Sequence, residues 1–235
     1  MSIPRIPLKD WIDAFEDWLK HYAGPVFDIV KIAIGSIVHT FENVFAWIPA
    51  PLMIVLLTAI AFAIGRFRMA LFTMLGFLLI WNLELWAPAM QTLALVLTSS
   101  LISVVFGIPL GIWCAQSNKV QAVITPILDF MQTMPAFVYL IPAVTFFSLG
   151  SVPGVIASVI FAIPPTIRLT NLGIRQVPGE LVEAADAFGS TRMQKLIKLQ
   201  LPLAVPAIMA GINQTIMLSL SMVVIASMIG AQGLG

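Results

Sequence analysis

Few residues in this chain are of types that do chemistry, and most of those stand alone. The single cysteine, Cys114, has no partner for a disulfide or a metal site, and His21 and His39 have no neighbouring ligands. No metal centre is expected. There is no H-E-x-x-H, no Ser/His pair and no cluster of acids inside an apolar run, so enzyme chemistry has no candidates. There is no G-x-x-x-x-G-K-[ST] and not even a Gly-Lys pair, so nothing here cradles a nucleotide phosphate. One dense polar segment remains, residues 168–202. From Pro178 to Pro202 it reads as two helices joined by a turn. Pro178 suits a helix start. Leu181, Ala185 and Phe188 share one face at i, i+4, i+7, and Gly189 suits the left-handed residue that ends a helix. Thr191 with Gln194 forms a capping box for the second helix, and Pro202 should break that helix.

A second, softer group could line a path for a small molecule. Met131, Met134, Phe137 and Tyr139 gather around Pro135, and aromatic rings attract cations through their quadrupole. Asn213, Met217 and Ser221 fall at i, i+4, i+8, a mostly polar stripe in an apolar stretch. The plainer meaning of each is packing and hydrogen bonding between helices. The same holds for the small-x-x-x-small pair Gly107/Gly111. Pro164-Pro165 must kink or end its helix, with an end the simpler outcome.

The elements that hold these residues follow from composition. Hydrophobic residues make up 60% of the 235 and charged residues 10%, with a mean hydropathy of +1.00. Such a chain cannot build the polar skin of a soluble domain. Net charge +1 gives no basic field for nucleic acid. The apolar runs are continuous rather than alternating, which excludes a β-barrel and leaves helices that bond their own backbone. The reading is an all-α integral membrane protein. Spans are expected at 48–65, 69–85, 90–114, 135–149, 152–167 and 203–229, with 116–133 interfacial or buried against protein. Residues 1–47 stand apart. They hold ten charges between Arg5 and Glu42, with Trp11, Ile12, Phe15, Trp18, Leu19 and Tyr22 on one helical face. No signal peptide is expected, because no apolar run follows the early basic residues. The expectation is an external amphipathic helical region (1–47), packed on the membrane domain or lying in the headgroup layer, followed by a transmembrane domain (48–235). Arg66, Arg68, Lys119, Arg168, Arg175, Arg192, Lys195 and Lys198 fall on one side in this arrangement, which makes that side cytoplasmic.

The polar segment also carries a resemblance. Glu183-Ala184-Ala185, then Gly189, then Leu199, Leu201 and Pro202 hold all the spacings of the Glu-Ala-Ala motif of permease subunits of binding-protein-dependent ABC importers. Leu199 stands where isoleucine is more usual. The runs 92–98, 107–113, 128–140 and 213–227 resemble permeases of glycine betaine/proline betaine osmoprotectant importers, and the likeness extends over 91–235. It implies a type I ABC importer permease fold in the cell membrane of a bacterium, with about six spans in this chain. It implies a cytoplasmic ATPase subunit that binds ATP and Mg in this chain's stead, an external solute-binding protein or domain, and a second copy of the permease. Phe188 and Leu181 would seat in a groove of the ATPase, with Glu183 at its rim. It further implies that the chain would continue past Gly235 into another helix.

Two rival readings differ in what they require. An ion-coupled secondary transporter usually places carboxylates in the membrane. Between residues 48 and 167 the only acids are Glu84 and Asp129, and neither is expected mid-span. An ABC permease for another small solute, such as an amino acid, stays open, because the residues permit a zwitterion without naming one.

Overall fold

The computed structural model describes residues 8–235, and these are helical with no strand among them. Residues 1–7 of the expected external region, Arg5 among them, lie outside the described residues. The order is α1 (Leu8–Trp47), α2 (Ala50–Asn82), α3 (Trp86–Gln116), α4 (Asn118–Thr133), a 3-10 turn (Ala136–Tyr139) leading into α5 (Leu140–Phe147), α6 (Ser151–Arg175), α7 (Gly179–Ala187), α8 (Arg192–Lys195) and α9 (Leu201–Ala226).

The centre is α3, α6 and α9. Lipid offers no hydrophobic drive between helices, so close backbone approach and buried hydrogen bonds must hold them. Small residues supply the approach. A Cβ on Gly107 would lie 2.8 Å from Thr166, and one on Gly111 would lie 2.6 Å from Thr170 and 2.8 Å from the Ile167 carbonyl. These pairings run in the same direction, so α3 and α6 are parallel. Gly173 meets Ala204 and Ala207, Gly211 meets Pro165 and Thr166, and Gly154 meets Ala226. That order runs oppositely, so α9 is antiparallel to both. At mid-height the hydroxyls of Thr166 and Thr215 lie 2.7 Å apart, and Thr215 Oγ1 also donates to the Ala162 carbonyl at 2.9 Å. Both threonines are fully buried.

The bundle therefore has two ends. One holds the starts of α3 and α6 and the finish of α9, tied by Gln91 to Gln232 and by the Leu234 amide to Thr92. The other holds the finish of α3 and α6, the start of α9 and the segment 176–200. There Arg175 donates to the Cys114 carbonyl at 2.8 Å, and Cys114 packs with Leu128 and Ile167 as an ordinary apolar group.

Several expected boundaries are corrected. The span expected over 135–149 is not a straight helix. α4 and the Ala136–Phe147 stretch form one pair bent by 109°. Pro135 explains the bend, because it drives Met134 into extended backbone (ψ 139) and stops α4. Pro164-Pro165 does not end the fifth span. α6 runs through both to Arg175, with the two prolines buried between α3 and α9. The expected spans 48–65 and 69–85 correspond to the two legs of α2, broken at Arg66 (φ 59, ψ −160). Pro51, Ile54 and Phe62 of one leg and Phe67, Met74 and Trp81 of the other line one apolar cavity of about 660 Å³, so the legs fold back on each other.

Of the expected external region, residues 8–47 form one helix that packs on the bundle. α1 is continuous to Trp47, and its second half joins the core through Ile34 and Val38. That half is long and apolar enough to cross a membrane by composition. Contacts along its length, from Phe27 to Ala46, nevertheless lie at one end of the bundle. Phe27 packs on Phe146 and Phe147 at the finish of α5, and Gly35 approaches Val152 at the start of α6. Glu42, Phe45 and Ala46 share a cavity with Trp86, Met90 and Gln91 at the start of α3.

The tightness of the seam can be tested directly. Gly111→Leu should force α3 from α6 and cost about 1–3 kcal/mol, as overpacking does. Purified protein should lose thermal stability relative to Gly76→Ala, whose added Cβ meets nothing within 4 Å. Equal melting temperatures for the two variants would show that the seam tolerates separation.

Candidate coupling hairpin and translocation face

Local rules build the hairpin. α7 begins at Gly179 behind Pro178, with Glu180 favouring its positive end. It closes as sequence predicts: Gly189 is left-handed (φ 75), the Ser190 amide reaches the Ala185 carbonyl at 3.0 Å, and the Gly189 amide reaches Asp186 at 2.9 Å. This pair of bonds satisfies the carbonyls that the helix end leaves open. α8 starts with the expected capping box, the Thr191 amide donating to Gln194 Oε1 at 2.8 Å and the Gln194 amide to Thr191 Oγ1 at 3.3 Å. Lys195 Nζ donates to Asp186 Oδ1 at 2.5 Å and ties the two arms together.

Pro202 does not act as expected. The second arm passes through one wide π turn, Leu196–Gln200, and continues as α9 without a break. A proline removes one backbone donor and pushes on the preceding turn, and a widened turn accommodates both. Leu196 and Leu201 pack against Ile174, Ala204 and Ile208, which fastens the arm to α6. Leu199 is half-buried, and Pro202 is exposed at the helix surface.

The hairpin presents apolar surface that this chain does not cover. Phe188 is 90% exposed, and Leu181, Met193 and Ile197 are exposed beside it. Glu183 and Ala184 are exposed on the same short helix, with Ala185 half-buried. Burying a ring the size of Phe188 is worth roughly 1.5–3 kcal/mol, so a tip of this kind fits a socket on another protein.

The path residues are only partly brought together. Tyr139 is buried, and its hydroxyl donates to the Met131 carbonyl at 2.5 Å. Met131 packs with the α3–α4 cluster around Cys114, and Met134 with the central core. Phe137 is exposed. On α9, Asn213, Met217 and Ser221 are all exposed, on a different side of the helix from the buried Gly211, Thr215 and Ser219 that face α6. They form an open stripe, and Ser221 Oγ donates back to the Met217 carbonyl at 3.1 Å.

Two features escaped sequence reading. Arg168, counted only as a basic residue, reaches Asp129 at 2.5 Å and links α6 to α4. The Thr166–Thr215 bond also went unseen, although threonines buried at the same heights as Gly107 and Gly211 are the signal that could have found it. Among the described residues no group of three or more His, Cys, Asp or Glu converges.

Residues 107–235 match the family described as "Binding-protein-dependent transport system inner membrane component". The glycine betaine/carnitine transport permease protein GbuB of Listeria monocytogenes is 60% identical, over all of this chain and 84% of its own length. The glycine betaine transport system permease protein OpuAB of Bacillus subtilis is 57% identical, over 99% and 83%. The glycine betaine/proline betaine permease ProW of Escherichia coli is 50% identical, over 98% and 65%. A solved structure of the MetNI methionine ABC transporter, in inward-facing form, shares the fold over 60% of this chain and 72% of that one, with TM-score 0.56 and 23% identity. The chain belongs to the binding-protein-dependent transport system inner membrane component family, as a multi-pass permease subunit of the cell membrane and not an enzyme.

Proposed function

We propose that this permease carries glycine betaine or a related quaternary ammonium compatible solute into the cell under osmotic stress. The observation that carries the substrate is that relatives named for glycine betaine are 50–60% identical over 98–100% of the chain. The chemistry agrees with it. A betaine is a zwitterion with closely spaced poles, and no fixed charge is needed along its path. The open stripe Asn213–Met217–Ser221 and the exposed Phe137 offer weakly polar and aromatic surface of that kind.

In this reading a separate cytoplasmic ATPase binds ATP and Mg, an external binding protein delivers the solute, and a second copy of the permease completes the path. The segment 168–202 is the coupling element. Phe188 and Leu181 enter the ATPase groove, Glu183 and Ala184 line its rim, and Ala185 and Gly189 set the angle between the arms. Leu199, Leu201 and Pro202 carry the motion onward. The continuity of the second arm with α9 supports this, because a displacement of the hairpin passes to α9 through helix rather than through a loop. Rigid-body movement of α6 and α9 would then alternate access. Residues 1–47 lie on the external side, and 48–235 form the transmembrane domain.

Two experiments test these assignments separately. Phe188→Ala should weaken capture of the ATPase by the purified permease at least several-fold. Gly189→Val, which places a branched residue at φ 75, should cost about 1–2 kcal/mol locally and uncouple ATP hydrolysis from uptake. Wild-type coupling in both variants would remove the hairpin from the mechanism. For substrate, glycine betaine should stimulate ATP hydrolysis by the reconstituted complex. Stimulation by an amino acid instead would move the solute assignment and leave the permease class intact.

A further inference from the structure

The outward side of α1 has a chemistry that the permease function does not use. At 100° per residue, the side chains of α1 sort into three arcs. Phe27, Ile34, Val38 and Phe45 form the arc against the bundle. Asp10, Asp13, Asp17, Asp28, Lys31 and Glu42 form a second arc, centred about 70° from the first, while Lys9, Glu16 and Lys20 lie at the angle of the first arc on the turns before Phe27. The third arc is centred about 140° from the first and about 150° from the second. It is apolar for the length of the helix: Trp11, Phe15, Trp18, Tyr22, Val26 and Ile29 are all exposed, and Ala33, Val44 and Trp47 continue the line. Where the line passes Ser36 and Thr40, each hydroxyl donates to the carbonyl four residues back, at 2.7 Å, so neither presents a free donor. Tyr22 on this arc meets His21 edge-on.

A helix with protein on one side, charge on the next and an uncharged aromatic–aliphatic stripe on the third meets three media. The charged arc needs water and the stripe needs hydrocarbon. A spanning helix does not fit. Phe27 and Ala46 are 19 residues apart, about 28 Å along the axis, close to the thickness of a bilayer core. A span would put their contacts at opposite ends of the bundle, yet both lie at the end away from the hairpin. Just beyond Trp47, Leu52 and Val55 of α2 are exposed and apolar as well.

We propose that α1 lies along the membrane surface for its described length. Its stripe sinks into the acyl–headgroup boundary of the leaflet at the non-hairpin end, and its partner there is lipid. Trp11 and Trp18 anchor one end and Trp47 the other, the positions that indole rings favour at such boundaries. The assignment rests on the permease reading only in requiring a bilayer; it holds for any solute.

The test uses the full chain with its ATPase, reconstituted in phosphatidylethanolamine/phosphatidylglycerol vesicles, in a Cys114→Ala background. Spin labels are placed singly at Phe15→Cys, Tyr22→Cys, Ala33→Cys and Val44→Cys on the stripe, and at Asp13→Cys, Asp17→Cys and Asp28→Cys on the charged arc. Collisions with oxygen, which concentrates in lipid, are compared with collisions with a water-soluble nickel chelate. The expected result is an oxygen-to-nickel ratio several-fold higher on the stripe than on the charged arc, at similar depth from Phe15 to Val44. A depth maximum at Ala33 would mean that α1 spans. Labels shielded from both agents would mean that protein covers the stripe, and equal nickel access at all positions would mean that nothing does; each of these overturns the proposal. The unlabelled chain gives an independent reading. Quenching of tryptophan fluorescence by lipids brominated near the headgroup should fall in Trp11→Phe/Trp18→Phe, and unchanged quenching counts against the idea. Solute-stimulated ATP hydrolysis, measured on the same samples, reports the functional reading separately.

Discussion

The close approach of α3, α6 and α9 is the constraint on which the rest of the structure depends. In hydrocarbon these helices gain nothing from hiding apolar side chains from lipid. What holds them is contact at a distance that only glycine and other small residues allow, together with hydroxyl bonds that have no competing water. Gly107 and Gly111 set the spacing of α3 on α6, and Gly173 and Gly211 that of α9 on α6. The Thr166–Thr215 bond fixes their register at mid-height. The hydroxyls of Ser103, Thr170 and Ser219 are also buried, without a partner in this arrangement.

That tight centre determines what the hairpin can do. α6 enters it and α9 leaves it, and the hairpin joins their ends. The Schellman-type closure at Gly189, the capping box at Thr191 and the Lys195–Asp186 ion pair make the hairpin a defined body rather than a loose connection. The π turn before Pro202 keeps the second arm in line with α9. A widened turn stores the mismatch between proline and helix without interrupting the rod. From Arg192 onward the second arm is continuous helix into the seam.

Outside the centre the packing is looser. α2 folds on itself at Arg66 and touches the bundle chiefly near the start of α3, where Phe77 meets Trp86 edge-on with ring centres 6.0 Å apart. α1 crosses the end of the bundle opposite the hairpin. The chain thus places its hairpin, with Arg168 and Arg175 beside it, at one end and its acid-rich helix at the other. That separation agrees with the bias of Lys and Arg toward the cytoplasmic side.

The sequence alone determined the class and much of the hairpin. Composition demanded membrane helices, since 10% charge cannot coat a soluble fold. Gly189 and Thr191-Gln194 were legible because a left-handed cap and a capping box depend on neighbours within a few residues. The family was legible in the fixed spacing from Glu183 to Pro202. Tertiary structure decided what depends on distant partners. Pro164-Pro165 and Pro202 read as stops, because a lost backbone bond is a local cost. Both helices continue, because packing against α3 and α9 in one case and a π turn in the other outweigh or absorb that cost. Pro135 stops α4, and the Tyr139 hydroxyl on the Met131 carbonyl ties the two sides of the bend. The apolar second half of α1 resembles a span in composition, and only its contacts with the ends of α3, α5 and α6 reveal a helix that crosses them. Hydropathy measures what a segment can enter, whereas its direction is set by what it touches.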